Sequence, residues 1–458
     1  MFRLKNKYKT YLTELFILSA SIIIIIISRN STTFITNVFI ARTGVSALSS
    51  AALVSSLFNV IAIFCSGLLS TTSIFIAEAR GKEKESDYLS ILLNGLLIAT
   101  ILAIVFILIL GCPEWFFSKI IHANINTELI VSYCNALQYG LLPLLWHITL
   151  QQYLIGHQKT LIVTSVTVAS LPIQIFLSYG LTLGKYGMPF LGIFGAGLAF
   201  SITSWLIFIF LGVSVILQSK KNTLKSLPGI KLTQLLKFIN IGWSIGITYT
   251  MEAAALFCFI IIMSKFGTDL LAVYHVITQC MSITIIFAIG IAQAATVLIG
   301  KLYGAQKMAE IPIVYYLALI LVIVIMLPIY ISYVFFSEII FNLFKLENLS
   351  FTLTSTVSSM FIILATYQLV DATRIILLGA LRGLQITQKP MIIVAGTYFG
   401  IGLPSSYVAV EYFKQGPLVA LALITTTVFL STLFLLTYLN TYIGKNKFSN
   451  RVMLASRA

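Results

Sequence analysis

Two carboxylates stand inside apolar runs of this chain: Glu252 in IGITYTMEAAALFCFIII and Asp371 in TYQLVDATRIILLGAL. An ionised side chain at the centre of a bilayer costs roughly 3 kcal/mol on insertion scales, so each acid needs a partner or a task. Tyr367 precedes Asp371 by four residues and shares its helix face, and a phenol beside a carboxylate holds a cation or relays a proton. Arg374, three residues after Asp371, offers the competing reading of a local ion pair that neutralises both. Glu252 has its own bland alternative, a neutral or hydrogen-bonded acid packed against a neighbouring helix.

The first apolar run carries a polar insert, Ser28-Arg29-Asn30-Ser31-Thr32-Thr33. Lipid cannot solvate it, so it faces a cavity or another helix. Arg29 then acts in one of two ways: as a clamp on carbonyls and hydroxyls, or as a charge that repels cationic cargo and attracts a carboxylate or phosphate. His275 and Gln279, one turn apart in LAVYHVITQCM, are candidates for the same cavity as the acids, although a lone membrane histidine is more often a hydrogen-bonded packing residue. An imidazole that titrates near ~6.5 would tune coupling there. Glu14 and Glu78 lie near helix ends, where pairing with nearby Lys and Arg is the simpler account. Most of the 32 Phe and 21 Tyr are expected to pack or face lipid.

The elements that position these residues can be read from composition. Of 458 residues 59% are hydrophobic and 9% charged, against about 25% charged in soluble domains. At about 1.5 Å per residue, a span needs about 20 apolar residues. Twelve runs qualify: 12–37, 46–77, 90–110, 128–154, 161–183 and 191–217, then 236–263, 270–302, 311–336, 351–381, 391–410 and 418–443. The net charge of +15 invites a nucleic-acid reading until its placement is examined. Twenty-one of the 29 Lys and Arg fall before the first span, after the last or in the even-numbered connections. Basic loops stay cytoplasmic, so both termini are expected there and no nucleic-acid partner is implied. Five cysteines without CxxC spacing imply neither a disulfide framework nor a metal cluster. The first run is long and lacks a small-residue cleavage site, so it is expected to be a span rather than a signal peptide. With no GxxxxGK[ST] loop, energy must come from an ion gradient or from the substrate itself.

The chain repeats itself. FCSGLLSTTSIFIAEARGKEK at 64–84 aligns without a gap with FAIGIAQAATVLIGKLYGAQK at 287–307, an offset of 223, with Phe64, Gly67, Ile76, Gly81 and Lys84 matched and Ser73 opposite Thr296. LIGHQKT at 154–160 echoes LRGLQIT at 381–387, an offset of 227. Six spans per copy give parallel repeats, the plan of transporters that rock two lobes about a midplane site. The expected organisation is an N-terminal six-helix lobe at 1–217, a basic cytoplasmic connector at 218–235 and a C-terminal six-helix lobe with a basic tail at 236–458.

Several of these segments, in this order, resemble the multidrug and toxic compound extrusion (MATE) family, in its NorM-like bacterial branch. They are IGIAQAATVLIGKLYGAQ at 289–306, LRGLQITQKPMIIVAGTYFGIGLP at 381–404 and LGKYGMPFLGIFGAGLAF at 183–200. The resemblance implies an all-α, V-shaped membrane protein of twelve helices in two pseudo-symmetric bundles about a central cleft. It implies a monomer in the bacterial inner membrane that exports organic cations or amphipaths while sodium ions or protons enter. NorM-like members carry acids where Glu252 and Asp371 stand and a tyrosine at Tyr367, and these form their coupling-cation site, so a sodium ion at Glu252 and Asp371 is the metal this resemblance implies.

Departures from the family concern the first lobe, where many members have an acid at the position of Thr36. Gln174 and Ser178 stand where relatives often have Asn and Asp or Asn, and His275 and Gln279 stand where Gln and Asn are usual. Together with Arg29 and Asn30 these are the candidate cavity-lining residues. No cofactor is expected beyond the coupling ion. A flippase for a lipid-linked precursor, from the same wider superfamily, is the alternative that Arg29 favours. A membrane enzyme would need a polar catalytic cluster that the sequence lacks.

Overall fold

A computed structural model describes residues 2–111, 127–218, 232–336 and 351–455. The described residues form helices and no strand, and twelve of the helices are long and apolar enough to cross a membrane. They are α1 (Lys7–Ala41), α2 (Val45–Gly81), α3 (Asp87–Leu110), α4 (Thr127–Gly156), α5 (Thr160–Leu183), α6 (Gly192–Gln218), α7 (Leu232–Ser264), α8 (Thr268–Gly304), α9 (Ile311–Phe335), α10 (Thr356–Gly383), α11 (Gln388–Glu411) and α12 (Pro417–Gly444). Backbone groups in hydrocarbon must pair internally, and helices of leucine, isoleucine and phenylalanine satisfy that condition while exposing apolar side chains such as Leu108, Val324 and Phe257. Cys112, Lys119 and Lys345, and most of the connector 218–235, lie outside the described residues.

Two helices depart from regular geometry. α2 is interrupted at Ser70, whose N–H donates to the Ser66 carbonyl before the chain continues as Thr71–Gly81. α11 widens into a π-helical segment at Gly396–Gly402, the kind of insertion that re-aims side chains near functional sites.

The duplication read from the sequence recurs in the backbone. Left-handed residues fall at Glu83 and Gln306, and at Gln158 and Gln385, so each pair keeps its own offset of 223 or 227. A close helix approach repeats as well. A Cβ on Gly156 would lie 2.8 Å from the Ser73 carbonyl oxygen and from Ile76 Cβ, and one on Gly383 would lie 2.7 Å from the Thr296 carbonyl oxygen and 2.9 Å from Ile299 Cβ. Small residues drive such packing where lipid removes the hydrophobic advantage of larger ones.

Internal contacts divide the chain into two compact units, Ile24–Ile247 and Met1–Ile23 with Thr248–Ala458. We call them the N-terminal and C-terminal units. The chain therefore passes between units inside α1 and inside α7, whereas the sequence places its boundary in the connector. In the N-terminal unit, Ile25 of α1 packs with Leu92, Leu150, Leu154, Val163, Leu211 and Val215. The start of α7 packs there too: Gln234 accepts from Ser90 at 2.9 Å, Phe238 meets Phe75 edge to face, and Gly242 lies where a Cβ would be 2.7 Å from the Leu68 carbonyl oxygen. In the C-terminal unit, Lys7 Nζ pairs with Glu310 Oε1 at 2.6 Å and the Tyr11 hydroxyl donates to the same carboxylate. Burial works to raise the Glu310 carboxyl, and the Lys7 and Tyr11 hydrogen bonds outweigh it and hold the group below the usual carboxylate range. Glu14 lies 3.9 Å from Lys301. Glu78, in the N-terminal unit, meets Lys82 at 2.5 Å, so both acids are paired as expected.

Candidate functional site

The C-terminal unit joins the two acids through Arg374. Helical spacing puts Asp371 and Arg374 on one face of α10, and the guanidinium holds Asp371 Oδ1 twice, from Nε at 2.8 Å and from Nη2 at 2.6 Å. Its third donor crosses to α7 and reaches Glu252 Oε1 at 2.6 Å. Arg374 is 2% exposed and Glu252 20%, so the triad has one dry side and one open side. The local pair and the long-range acid, alternatives in the sequence, are members of one arrangement.

Charge counting defines what this arrangement does. Two carboxylates and one guanidinium leave one net negative charge when all are ionised. Burying charges is costly unless each finds a partner, and the excess charge makes a cation or a proton the favourable addition. Asp371 Oδ2 and Glu252 Oε2 accept no hydrogen bond from the described residues. Hard cations take such carboxylate oxygens as ligands, and protons bind them as well.

Tyr367 enters differently from the expectation. Its hydroxyl lies 3.4 Å from that of Tyr398 rather than on Asp371, whose Oδ1 is taken by Arg374. Tyr398, 2% exposed, comes from the π-helical segment of α11 and presents its ring 5.5 Å from the Arg374 guanidinium carbon. Sequence reasoning missed it. The available signal was the glycine-rich GTYFGIG, in which a tyrosine follows a break in regular helix. Toward the far end of α10, Arg382 donates to the Tyr249 hydroxyl at 2.7 Å and covers its ring at 4.5 Å, so α7 and α10 are tied at two levels.

The remaining candidates separate. His275 and Gln279 are exposed on α8 and join none of the contacts of the triad. In the N-terminal unit, Thr36 and Ser178 are buried and share a hydrogen bond of 3.3 Å between α1 and α5. Gln174 is half-buried, and Arg29 and Asn30 are exposed.

The comparisons agree with this architecture. The profile of the MatE family matches residues 21–180 and 245–408, once in each half. The probable multidrug resistance protein NorM of Brucella suis biovar 1 (strain 1330) is 26% identical over 396 residues, covering 83% of this chain and 82% of its own. The probable multidrug resistance protein NorM of Oceanobacillus iheyensis (strain DSM 14371 / CIP 107618 / JCM 11309 / KCTC 3954 / HTE831) is 26% identical over 423 residues, covering 90% and 92%. Among solved structures, a MATE protein in the bent conformation shares the fold with a TM-score of 0.87 at 16% identity over 97% of this chain and 99% of its own. A MOP superfamily transporter from Pyrococcus furiosus gives 0.84 at 16% identity over 95% and 97%. With twelve apolar helices, an internal duplication and a family profile that falls once on each repeat, the chain belongs to the multidrug and toxic compound extrusion (MatE) family and is a NorM-like membrane transporter rather than an enzyme.

Proposed function

We propose that this transporter exports organic amphipathic compounds, the cationic class of the family resemblance among them, in exchange for sodium ions or protons bound at Glu252 and Asp371. What supports the reading is the net negative charge of the Glu252–Arg374–Asp371 triad together with the two carboxylate oxygens that no donor occupies. Loading a cation or a proton there brings the triad to neutrality and lowers the cost of enclosing it in a low-dielectric lobe. Unloading restores the charge and favours a hydrated form. Two states of unequal charge give the exchange its handle, because a ligand shifts such an equilibrium only by its differential affinity for the states. The Tyr398 ring flanks the guanidinium, and Tyr367 braces Tyr398 through their hydroxyls. The same reading puts a monomer in the bacterial cytoplasmic membrane with both termini in the cytoplasm, in keeping with its basic loops.

Reconstituted protein should extrude an ethidium-like dye when a sodium or proton gradient is imposed, and collapsing each gradient in turn identifies the ion. The Glu252→Gln/Asp371→Asn protein should bind dye but lose uphill export. Export against a gradient by that double variant would sink the assignment. A flippase for a lipid-linked anion is the second reading, favoured by Arg29. Accumulation of a lipid intermediate in a deletion strain would support it.

A further inference from the structure

The duplication carries the site across with its charge reversed. The offset of 223 holds at the ends of the paired helices, Ala41 with Ser264, Val45 with Thr268 and Gly81 with Gly304, and the offset of 227 holds at Gly156 with Gly383. Applied to the triad, the first offset sets Arg29 at the place of Glu252. The second sets His147 at the place of Arg374, Leu144 at that of Asp371 and Gly140 at that of Tyr367. Where the C-terminal unit has two acids around a guanidinium, the N-terminal unit has a guanidinium, an imidazole and no acid.

The side chains bear out the correspondence. Ile25 lies one turn before Arg29 on α1 and is buried in the core of the N-terminal unit in the same cluster as Leu150 of α4, so the exposed Arg29 borders that packed face. His147 stands one turn from Leu150 on α4, at the place that Arg374 holds on α10. The counterparts of a joined pair thus lie on the corresponding pair of helices, α1 and α4. His147 is buried and its Nδ1 has no hydrogen-bond partner. Arg29 is exposed within an apolar span, and because lipid cannot solvate a guanidinium at that depth, its head requires a polar, water-accessible space. Among the described residues it makes no side-chain hydrogen bond and no ion pair. The acids described in this unit, Glu78, Glu83, Glu85, Asp87 and Glu128, all sit at helix ends or in the turn after α2.

A guanidinium at mid-span without a counter-charge is costly, and its planar fork matches a carboxylate, sulfonate or phosphate two-pronged. We infer that the N-terminal unit holds an anion subsite in which Arg29, with His147 behind it, receives the negatively charged group of an amphipathic cargo. The inference rests on the exporter reading for the word cargo, and it divides the labour by sign: the C-terminal unit takes the coupling cation, the N-terminal unit the anionic group of what is moved.

Fluorescein and rhodamine 123 share a tricyclic skeleton and differ in charge. Binding of each to the full-length protein in phosphatidylcholine nanodiscs, monitored by fluorescence anisotropy, needs no gradient and so separates this site from coupling. Fluorescein should bind the wild type, and Arg29→Gln should weaken it about tenfold or more, the worth of a charge-assisted contact, while leaving rhodamine 123 unchanged. Arg29→Lys should retain most of the affinity, which shows that the cavity is intact. Glu252→Gln/Asp371→Asn should bind fluorescein as the wild type does even where it fails to transport. If phosphatidylglycerol in the disc displaces fluorescein from the wild type in an Arg29-dependent way, the group received is a lipid headgroup; if it does not, the cargo is a water-soluble anion, and either result supports the subsite. Equal loss of both probes in Arg29→Gln and Arg29→Lys, or the absence of any Arg29-dependent binding of fluorescein or phosphatidylglycerol, overturns it.

Discussion

Arg374 is held by both carboxylates of the C-terminal site, and its removal would leave Glu252 and Asp371 without a counter-charge. Breaking a buried ion pair from one side costs about 3 kcal/mol or more, so Arg374→Gln should lower the thermal midpoint of the purified protein by several degrees. Adding Asp371→Asn should recover part of that loss, because fewer charges are then stranded. A loss in the double variant equal to the sum of the single losses would mean that the two residues are not coupled. The pairing of Asp371 with Arg374 was readable from their spacing of three. The pairing with Glu252 was not, since 122 residues separate the partners and nothing local encodes which helices become neighbours. His157, in the connection between α4 and α5, gives a second prediction. Burial, opposed in part by a 2.9 Å contact of Nδ1 with the Tyr153 carbonyl and aided by the charges of Arg80 and Lys159, lowers its pKa from 6.5 to about 4. The unfolded chain takes its proton first as pH falls, so stability should decline between pH 6.5 and about 4 by on the order of 3 kcal/mol and then level off. Thermal midpoints across that window should be flatter for His157→Gln.

At the scale of helices, glycine sets the distances. A methyl at Gly383 would sit 2.7 Å from the Thr296 carbonyl oxygen, and one at Gly156 2.8 Å from that of Ser73. Backbone cannot yield as a side-chain tip does, so the helices must separate. Gly383→Ala and Gly156→Ala should each cost about 1–3 kcal/mol, read as a drop in melting temperature of the detergent-solubilised protein. A tolerated substitution at either place would mean that the approach is looser than described. Apolar runs and glycine matches made the twelve helices and their duplication legible, because both are local or periodic signals. The π-helical segment that aims Tyr398 was not legible: an extra residue in one turn leaves the apolar pattern nearly intact and rotates only the face presented by the residues beyond it.

For the molecule as a whole, each unit borrows from the other half of the sequence. The N-terminal unit includes the chain up to Ile247, with Phe238 and Gly242 in its packing, and the C-terminal unit includes Met1–Ile23, with Lys7 and Tyr11 on Glu310. Fragments 1–225 and 226–458 expressed separately should therefore each lack a piece of a unit and aggregate, while co-expressed they should purify together. Size-exclusion chromatography of either fragment alone as a sharp, stable species would argue against this. The same division orders the birth of the protein. Synthesis runs at about 5–20 residues per second, so the N-terminal unit has all of its chain once Ile247 has been made, whereas Met1–Ile23 must wait for some two hundred further residues before the first of its partners exists. A segment made long before its partners is thus among the last to find its place, and in that interval of about 10–45 s its apolar stretch from Leu12 to Ile23 must be sheltered by lipid, by the insertion machinery or by a temporary neighbour.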